Sequence, residues 1–216
     1  MSAHIFQFSD LTFHALPSGA LFVPEHGVLC VSDLHLGKSD RIARRTGVLV
    51  PPYENRETLE KLDADIAATA PRTVICLGDS FDDLLAADAL GSHETTLLTR
   101  MQAGREWIWI EGNHDPGPVN LGGTHLAECL VGTVNFRHIA TDGVPEVSGH
   151  YHPKHGIRGT GRNRACFAYD NDRLIMPAYG AFTGGLALTH PTLRSLFKGR
   201  LIAVLTGQKA MPLPVA

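Results

Sequence analysis

Five groups of metal-ligand-type residues recur along the chain, and four of them follow an apolar, strand-like run. Carboxylate, imidazole and amide oxygen suit divalent ions such as manganese, iron or zinc. In open α/β sheets, ligands gather outside the carboxyl ends of the strands, so successive strands are expected to deliver these side chains to one crevice. The set is large enough for two ions, which predicts hydrolysis of a phosphate ester between paired metals. In chain order the groups are Asp33-Leu34-His35, Gly78-Asp79, Gly112-Asn113-His114-Asp115, His138 and Gly149-His150-Tyr151-His152.

Two of these groups place their polar side chains two residues apart, Asp33 with His35 and His150 with His152. On an extended segment this spacing points both side chains the same way, because strand side chains alternate with period two. Taken singly, each residue also has an ordinary interpretation as a helix cap, a turn residue or a surface group. Their joint occurrence in this order favours one shared site. For Asp115 alone, the interpretation as a helix or turn cap is preferred.

The apolar pattern predicts alternating strands and helices in the first half of the chain and short strands after residue 131. Asp170-Asn171-Asp172 is expected to form a hairpin turn. There is no internal repeat and no low-complexity linker, so we expect one α/β domain over residues 1–216. The predicted helices are 53–69 and 94–101, and the predicted strands are 28–31, 73–77, 107–110, 135–139, 146–148, 165–169, 174–176 and 201–205.

Composition excludes several classes of protein. With 44% hydrophobic residues, the chain can bury one large core, but no segment approaches the roughly 18 apolar residues of a membrane span. The N-terminus lacks a basic region followed by a long apolar stretch. None of the four cysteines lies in a C-x-x-C pair, so neither a disulfide framework nor a thiolate zinc site is indicated. We therefore expect a cytoplasmic protein with no membrane association.

Basic residues flank the predicted site on both sides. The net charge of −3 argues against general affinity for nucleic acid. A positive potential beside the site would nevertheless gather a polyanion. Two interpretations remain open for these residues, ordinary solvated surface and binding to a phosphate backbone. One cluster comprises Lys38, Arg41, Arg44 and Arg45, and the other comprises Lys154, Arg158, Arg162 and Arg164.

The ordered motifs resemble those of the calcineurin-like metallophosphoesterase superfamily, whose pattern D-x-H, G-D-x-x-D, G-N-H-[DE], H and G-H-x-H is matched from Asp33 to His152. More narrowly, the chain is similar to the ligase-associated DNA damage response endonucleases, a bacterial group, through segments 32–38, 44–47, 149–153 and 177–185. The resemblance implies an α/β fold in which a two-sheet β-sandwich is flanked by helices. It also implies a bacterial origin.

The resemblance also implies a ligand set for two divalent ions, with Mn²⁺ expected and iron or zinc as alternatives. Asp79 would bridge the ions, and a metal-activated water would attack phosphorus. His138 competes with His125 for one ligand position and is preferred because it ends a strand-like run. One ion would be held by Asp33, His35, Asp79 and His152, and the other by Asp79, Asn113, His138 and His150.

In the same resemblance, His114 matches the residue that donates a proton to the leaving oxygen, a task that suits an imidazole pKa of about 6.5. Asp82 matches the acid that orients this histidine. Asp83 stands where phosphatase relatives often carry an arginine that grips phosphate, so substrate binding would pass to other cations. The candidates are Lys38, Arg44, Arg158, Arg162 and Arg164.

Three classes of function follow. The first is a phosphodiesterase acting as an endonuclease on DNA, with single strands favoured, or on RNA, in DNA repair. The family resemblance associates such a protein with a DNA ligase, a helicase and an exonuclease. The second is a small-molecule phosphoesterase acting on 2′,3′-cyclic nucleotides or other nucleotide diesters. The third is a binding scaffold without catalysis, against which the intact ligand set and His114 argue.

Overall fold

The computed structural model describes residues 2–49, 53–142, 145–156 and 162–215, and within them the strands form two β-sheets. The first contains β1 (His4–Phe8), β2 (Leu11–Ala15), β3 (Leu21–Val23), β4 (Val28–Val31), β5 (Thr73–Leu77), β6 (Glu106–Ile110) and β7 (Thr124–Leu126), side by side in chain order. The second contains β8 (Glu128–Val131), β9 (Val134–Arg137), β10 (Glu146–Ser148), β11 (Lys154–Gly156), β12 (Asn163–Tyr169), β13 (Arg173–Ile175), β14 (Ile202–Leu205) and β15 (Met211–Pro214). Its order is β15-β14-β12-β13-β10-β9-β8, with β11 paired to β12.

Strands β4, β5, β6 and β7 run parallel, and the first three read as nearly continuous apolar runs. Such runs are typical of strands covered on both faces. Side chains that alternate along these strands therefore point into two different cores. Ile75 and Ile108 join a core that also contains residues of the second sheet, whereas Val74 and Trp107 pack in a second core together with Leu59 of a helix. The three strands therefore lie at the centre of the fold.

Helices cover the outer faces of both sheets. They are α1 (Lys38–Thr46), α2 (Glu54–Thr69), α3 (Leu84–Asp88), α4 (Ser92–Gln102) and α5 (Pro191–Arg194). The predicted apolar face of α2 is buried through Leu59, Leu62 and Ile66. On the other side, Leu193 of α5 packs with residues of β12 and β14 in a third core. The order of layers is helix, sheet, sheet, helix, which confirms the predicted two-sheet sandwich flanked by helices.

The predicted elements are present with end shifts of a few residues. Ten further elements were not predicted: β1, β2, β3, β7, β8, β11, β15, α1, α3 and α5. The early strands were missed because they are short and carry polar residues on one face, as in the exposed, intermediate and buried alternation of β1 and β2. The predicted hairpin turn at 170–172 does join the antiparallel strands β12 and β13. Among the described residues, no helix has the length and apolar character that a membrane crossing requires.

Candidate metal centre

The ligand-type residues lie in loops that leave the carboxyl ends of strands in both sheets. Asp33 follows β4, Asp79 follows β5 and Asn113 follows β6, as predicted from the sequence. His138 directly follows β9, and His150 comes two residues after β10 in the second sheet. Because β4, β5 and β6 are parallel, their ends meet at one edge, and the loops of the second sheet close over it.

The loops bring these side chains into two compact groups, in each of which the candidate ligand atoms lie within 4.8 Å of one another. We call Asp33, His35 and His152 the first group, and Asp79, His138 and His150 the second group. Asn113 joins the second group, since its Oδ1 lies 3.0 Å from Nε2 of His138.

Charge and burial inside the groups suit cation binding. His152 Nε2 lies 3.0 Å from Asp33 Oδ1, and His138 Nε2 lies 3.3 Å from Asp79 Oδ2. Burial on its own would raise the pKa of Asp79, but the hydrogen bond and charge of His138 outweigh it and hold the pKa at about 2. Burial lowers the pKa of His150, which favours the neutral imidazole that binds metals.

One orphaned atom gives a direct test of whether these residues fit a metal. His35 is 5% exposed, its Nδ1 is hydrogen-bonded, and its buried Nε2 has no hydrogen-bond partner among the described residues. A buried polar atom without a partner is costly and calls for an explanation. A divalent ion bound by the first group would supply the partner, and the mixture of imidazole and carboxylate suits manganese, iron or zinc. The donor set therefore fits two ions, one at each group.

The backbone at the site differs from the extended geometry that the sequence suggested. Non-glycine residues rarely adopt positive φ, yet five candidate ligands do so. The interpretation of the Asp33/His35 and His150/His152 pairs as strand-like was therefore wrong. They converge because left-handed residues bend each loop back on itself. The φ angles are 54° at Asp33, 47° at His35, 47° at Asp79, 68° at His150 and 46° at His152.

Asp115 holds two of these loops together, as its predicted role of turn cap implies. Its carboxylate accepts hydrogen bonds from the backbone N–H groups of Asp79, Ser80, Phe81 and Gly112 at 2.8–3.2 Å. Burial raises the pKa of this carboxyl to about 6, against the opposing effect of those hydrogen bonds. Gly112 is required here because a side chain would collide with the backbone of Asp79.

Asp82 contacts a different histidine from the one expected. Its Oδ1 accepts a hydrogen bond of 2.9 Å from His35 Nδ1, and its Oδ2 accepts one of 2.8 Å from Arg41. Burial would raise the pKa of Asp82, but these partners lower it well below its usual range. The carboxylate therefore fixes the ring of His35 rather than that of His114. No motif in the sequence indicates this choice or the contact of Arg41 with Asp82.

His114 is held by the backbone carbonyl of Asp82. Its Nδ1 lies 2.9 Å from the Asp82 carbonyl oxygen, and its ring meets the ring of His35 edge-on at 5.2 Å between centroids. A carbonyl only accepts hydrogen bonds, so Nδ1 carries a hydrogen and any further proton must sit on Nε2. This arrangement suits a histidine that donates a proton from Nε2.

Comparison with known families identifies the chain. The sequence profile of the calcineurin-like phosphoesterases matches residues 26–190, which include every candidate ligand. The chain belongs to the calcineurin-like phosphoesterase family. Members of this family are hydrolases of phosphate esters that use divalent metal ions, and the two groups are the candidate ligands for them here.

One solved structure agrees with the fold of this phosphoesterase over nearly the whole chain. The nuclease MPE of Pseudomonas putida superposes with a TM-score of 0.78 at 24% sequence identity, over 98% of this chain and 100% of that one. The phosphoesterase Yfce of E. coli gives a TM-score of 0.42 at 10% identity, over 88% of this chain and 98% of that one. No curated protein matches the chain.

The basic residues predicted to bind substrate differ in their exposure and in their contacts within this phosphoesterase. Lys38 begins α1, half-buried, and Arg162 is exposed. Arg44 lies 2.7 Å from Asp40 and 2.9 Å from Asp83. Arg164 donates a hydrogen bond to the Thr206 carbonyl, and this contact inside the protein does not support the surface role predicted for it. Arg158 lies outside the described residues.

A loop that the sequence did not assign to the site also reaches it. Gly185 packs so closely on the His152 carbonyl that a side chain would collide with it. Upstream, the N–H of Gly180 donates to the Asp33 carbonyl at 3.0 Å. The segment 180–185 therefore touches two residues of the first group.

Proposed function

We propose that this phosphoesterase is a dinuclear metal-dependent phosphodiesterase that cuts DNA. The observation that carries the proposal is the juxtaposition of two three-residue ligand groups with His114, whose ring contacts His35 of the first group. Two bound ions would supply an activated water and neutralise charge on the phosphoryl oxygens. General acid catalysis typically raises the rate by about 10²–10⁴-fold. A proton held at Nε2 of His114 is therefore the protein's main contribution to departure of the leaving oxygen.

The other residues prepare the site before substrate arrives. Asp82 orients His35 so that Nε2 faces the first group, and Arg41 keeps the Asp82 carboxylate ionised. Asp115 fixes the loops that carry Asp79 and Asn113. Asp79 belongs to the second group, and its proposed bridging role requires it to serve the first as well. Partners of this kind set ligand orientation and tune metal affinity.

A nucleic acid is the proposed substrate because of two likenesses. The chain is similar over its whole length to a protein described as a nuclease. The four short segments named above also resemble those of the ligase-associated endonucleases. We therefore propose a role in bacterial DNA repair, in the cytoplasm, alongside a ligase, a helicase and an exonuclease. Manganese is the proposed activating metal, and single-stranded DNA is preferred to duplex DNA and RNA.

A second candidate, hydrolysis of small nucleotide diesters, is favoured by the charges around the site. Arg44 and Arg164 are engaged within the protein, which leaves fewer cations for a long polyanion. A cleft of about 370 Å³ beside Asn113 and His138 carries Glu111, Glu128 and Arg137 in its lining, and Arg137 pairs with Glu128 at 3.0 Å. This lining offers no excess of positive charge to a long phosphate backbone, on which a substrate with one phosphate depends less.

A substrate panel with defined metal content tests both candidates. The chelator-treated protein should hydrolyse single-stranded DNA only after Mn²⁺ is restored. Asp79→Asn should abolish this activity, because it removes a carboxylate charge from the ligand set. Asp63→Asn makes the same chemical change on the exposed face of α2, where Asp63 pairs with Arg100, and should have no effect. Hydrolysis that persists in excess chelator would refute the metal mechanism, and cleavage of 2′,3′-cyclic nucleotides without cleavage of DNA would favour the second candidate.

A further inference from the structure

An aromatic side chain stands exposed on the segment 180–185, which touches the first group. Phe182 is 74% exposed, the second most exposed of the large hydrophobic residues described. Its φ of 56° places a bulky residue in the left-handed region, where glycine would be favoured. Residues held in such conformations tend to cluster at functional sites. Neither burial nor backbone preference therefore explains a phenylalanine at this position.

The segment 180–185 that carries Phe182 is fixed at both ends. On one side, the N–H of Ala181 donates to Thr58 Oγ1 at 3.0 Å, next to the contact of Gly180 with Asp33. On the other side, Gly185 packs on His152, and the Lys154 ammonium donates to the Thr183 carbonyl at 3.2 Å. Because both anchors lead to the first group, the backbone at Phe182 is held close to where a phosphate would bind.

The ring and the nearby cation match the two halves of a nucleotide. An exposed phenylalanine offers a flat apolar face on which any base can stack, and such stacking tolerates changes of sequence. Lys154 donates one of its three ammonium hydrogens to the Thr183 carbonyl, so the other two can still bind a phosphate. A phosphomonoester without a base would gain nothing from the ring.

We propose that Phe182 stacks on an unpaired nucleobase next to the phosphate that is hydrolysed, an inference that rests on the proposed function. A base inside a duplex has both faces covered by its neighbours, so the contact needs a base that is free of its stack. Phe182 is in this proposal a specificity-determining residue. It adds affinity for base-containing strands and leaves the chemistry at the metals unchanged.

The test compares a single-stranded DNA oligomer with a deoxyribose-phosphate oligomer of equal length that lacks bases, using Mn²⁺-loaded protein. Phe182→Ala should raise KM for the base-containing strand by about 5- to 150-fold, the range expected for one lost base stack. Its kcat should change little, and its KM for the base-free strand should equal that of the wild type. Phe182→Trp should keep the wild-type KM on both strands.

Two further variants separate stacking from the shape of the loop. Phe182→Gly removes the ring but suits the left-handed backbone, so it should lose base-strand affinity as Phe182→Ala does, without loss of thermal stability. Ile5→Ala removes an exposed apolar side chain, 59% exposed, from β1 at the far edge of the first sheet and should change neither KM.

Equal losses on both oligomers in Phe182→Ala and Phe182→Gly would show that the residue shapes the loop, and would overturn the proposal. Unchanged KM values in both variants would overturn it as well, while leaving the nuclease function intact. If the wild-type protein cleaves neither oligomer but hydrolyses cyclic nucleotides, the proposed function itself fails, and the stacking role fails with it.

Discussion

The substitution Asp82→Asn tests the unexpected contact between Asp82 and His35. The carboxylate is 3% exposed and accepts one hydrogen bond from His35 and one from Arg41. Asparagine has nearly the same shape but no charge, and its amide can replace only one of the two acceptor oxygens. The ring of His35 therefore loses the charged partner that holds Nε2 towards the first group.

The expected size of the effect follows from that lost interaction. Hydrogen bonds to charged groups contribute about 1.5–3 kcal/mol, and about 1.4 kcal/mol corresponds to a tenfold change in an equilibrium constant. We therefore expect metal binding at the first group to weaken about 10- to 100-fold, in line with the usual cost of removing a partner of a ligating histidine. Binding at the second group, which Asp82 does not contact, should change little.

Calorimetric titration of Mn²⁺ into chelator-treated protein measures this difference. The wild type should bind two ions, and Asp82→Asn should weaken one binding step only. The control is Asp83→Asn, whose carboxylate caps α3 and pairs with Arg44 nearer the surface; both of its steps should match the wild type. If Asp82→Asn bound both ions normally but lost activity on poor leaving groups, Asp82 would act on His114 and our reasoning would be refuted.

Three further outcomes are expected. His114→Ala should keep its metal content and lose about 10²–10⁴-fold on substrates with poor leaving groups, with a much smaller loss on nitrophenyl esters; equal losses on both would contradict a proton-donating role. Burial raises the pKa of Asp65 in the folded state, so folding favours its protonated form, and its ionisation costs stability as pH rises above the ordinary carboxyl pKa of about 3.9. Asp65→Asn should therefore raise Tm at neutral pH, with a gain that disappears in acid; a gain independent of pH would contradict this sign. Arg164→Ala should lower the free energy of unfolding by about 1–3 kcal/mol because the Thr206 carbonyl loses its donor, whereas the exposed Arg162→Ala should be nearly neutral in the same denaturant titration, and the reverse order would refute the structural role.

The sequence was most informative where local pattern alone decides structure. Apolar runs predicted β4, β5 and β6, and parallel strands necessarily end together, so the convergence of Asp33, Asp79 and Asn113 could be predicted. What could not be predicted depends on backbone dihedrals and on contacts between distant residues. The left-handed turn at His35 has no glycine to indicate it. Asp82 contacts both histidines, but its carboxylate binds His35 while its backbone carbonyl binds His114. Which group meets which ring is decided by the direction of each, and the sequence does not show it.

The left-handed backbone of the candidate ligands affects how readily the protein is degraded in a cell. At about 1–2 kcal/mol each, the five residues together cost about as much as the lower end of the roughly 5–15 kcal/mol that keeps a typical domain folded. Ions that bind only the folded chain offset this cost by mass action. We therefore expect the metal-free protein to be digested faster by a protease than the Mn²⁺-loaded one, and equal rates would contradict this account. Metal supply would then govern how many copies of the protein escape degradation, as well as how fast each copy works.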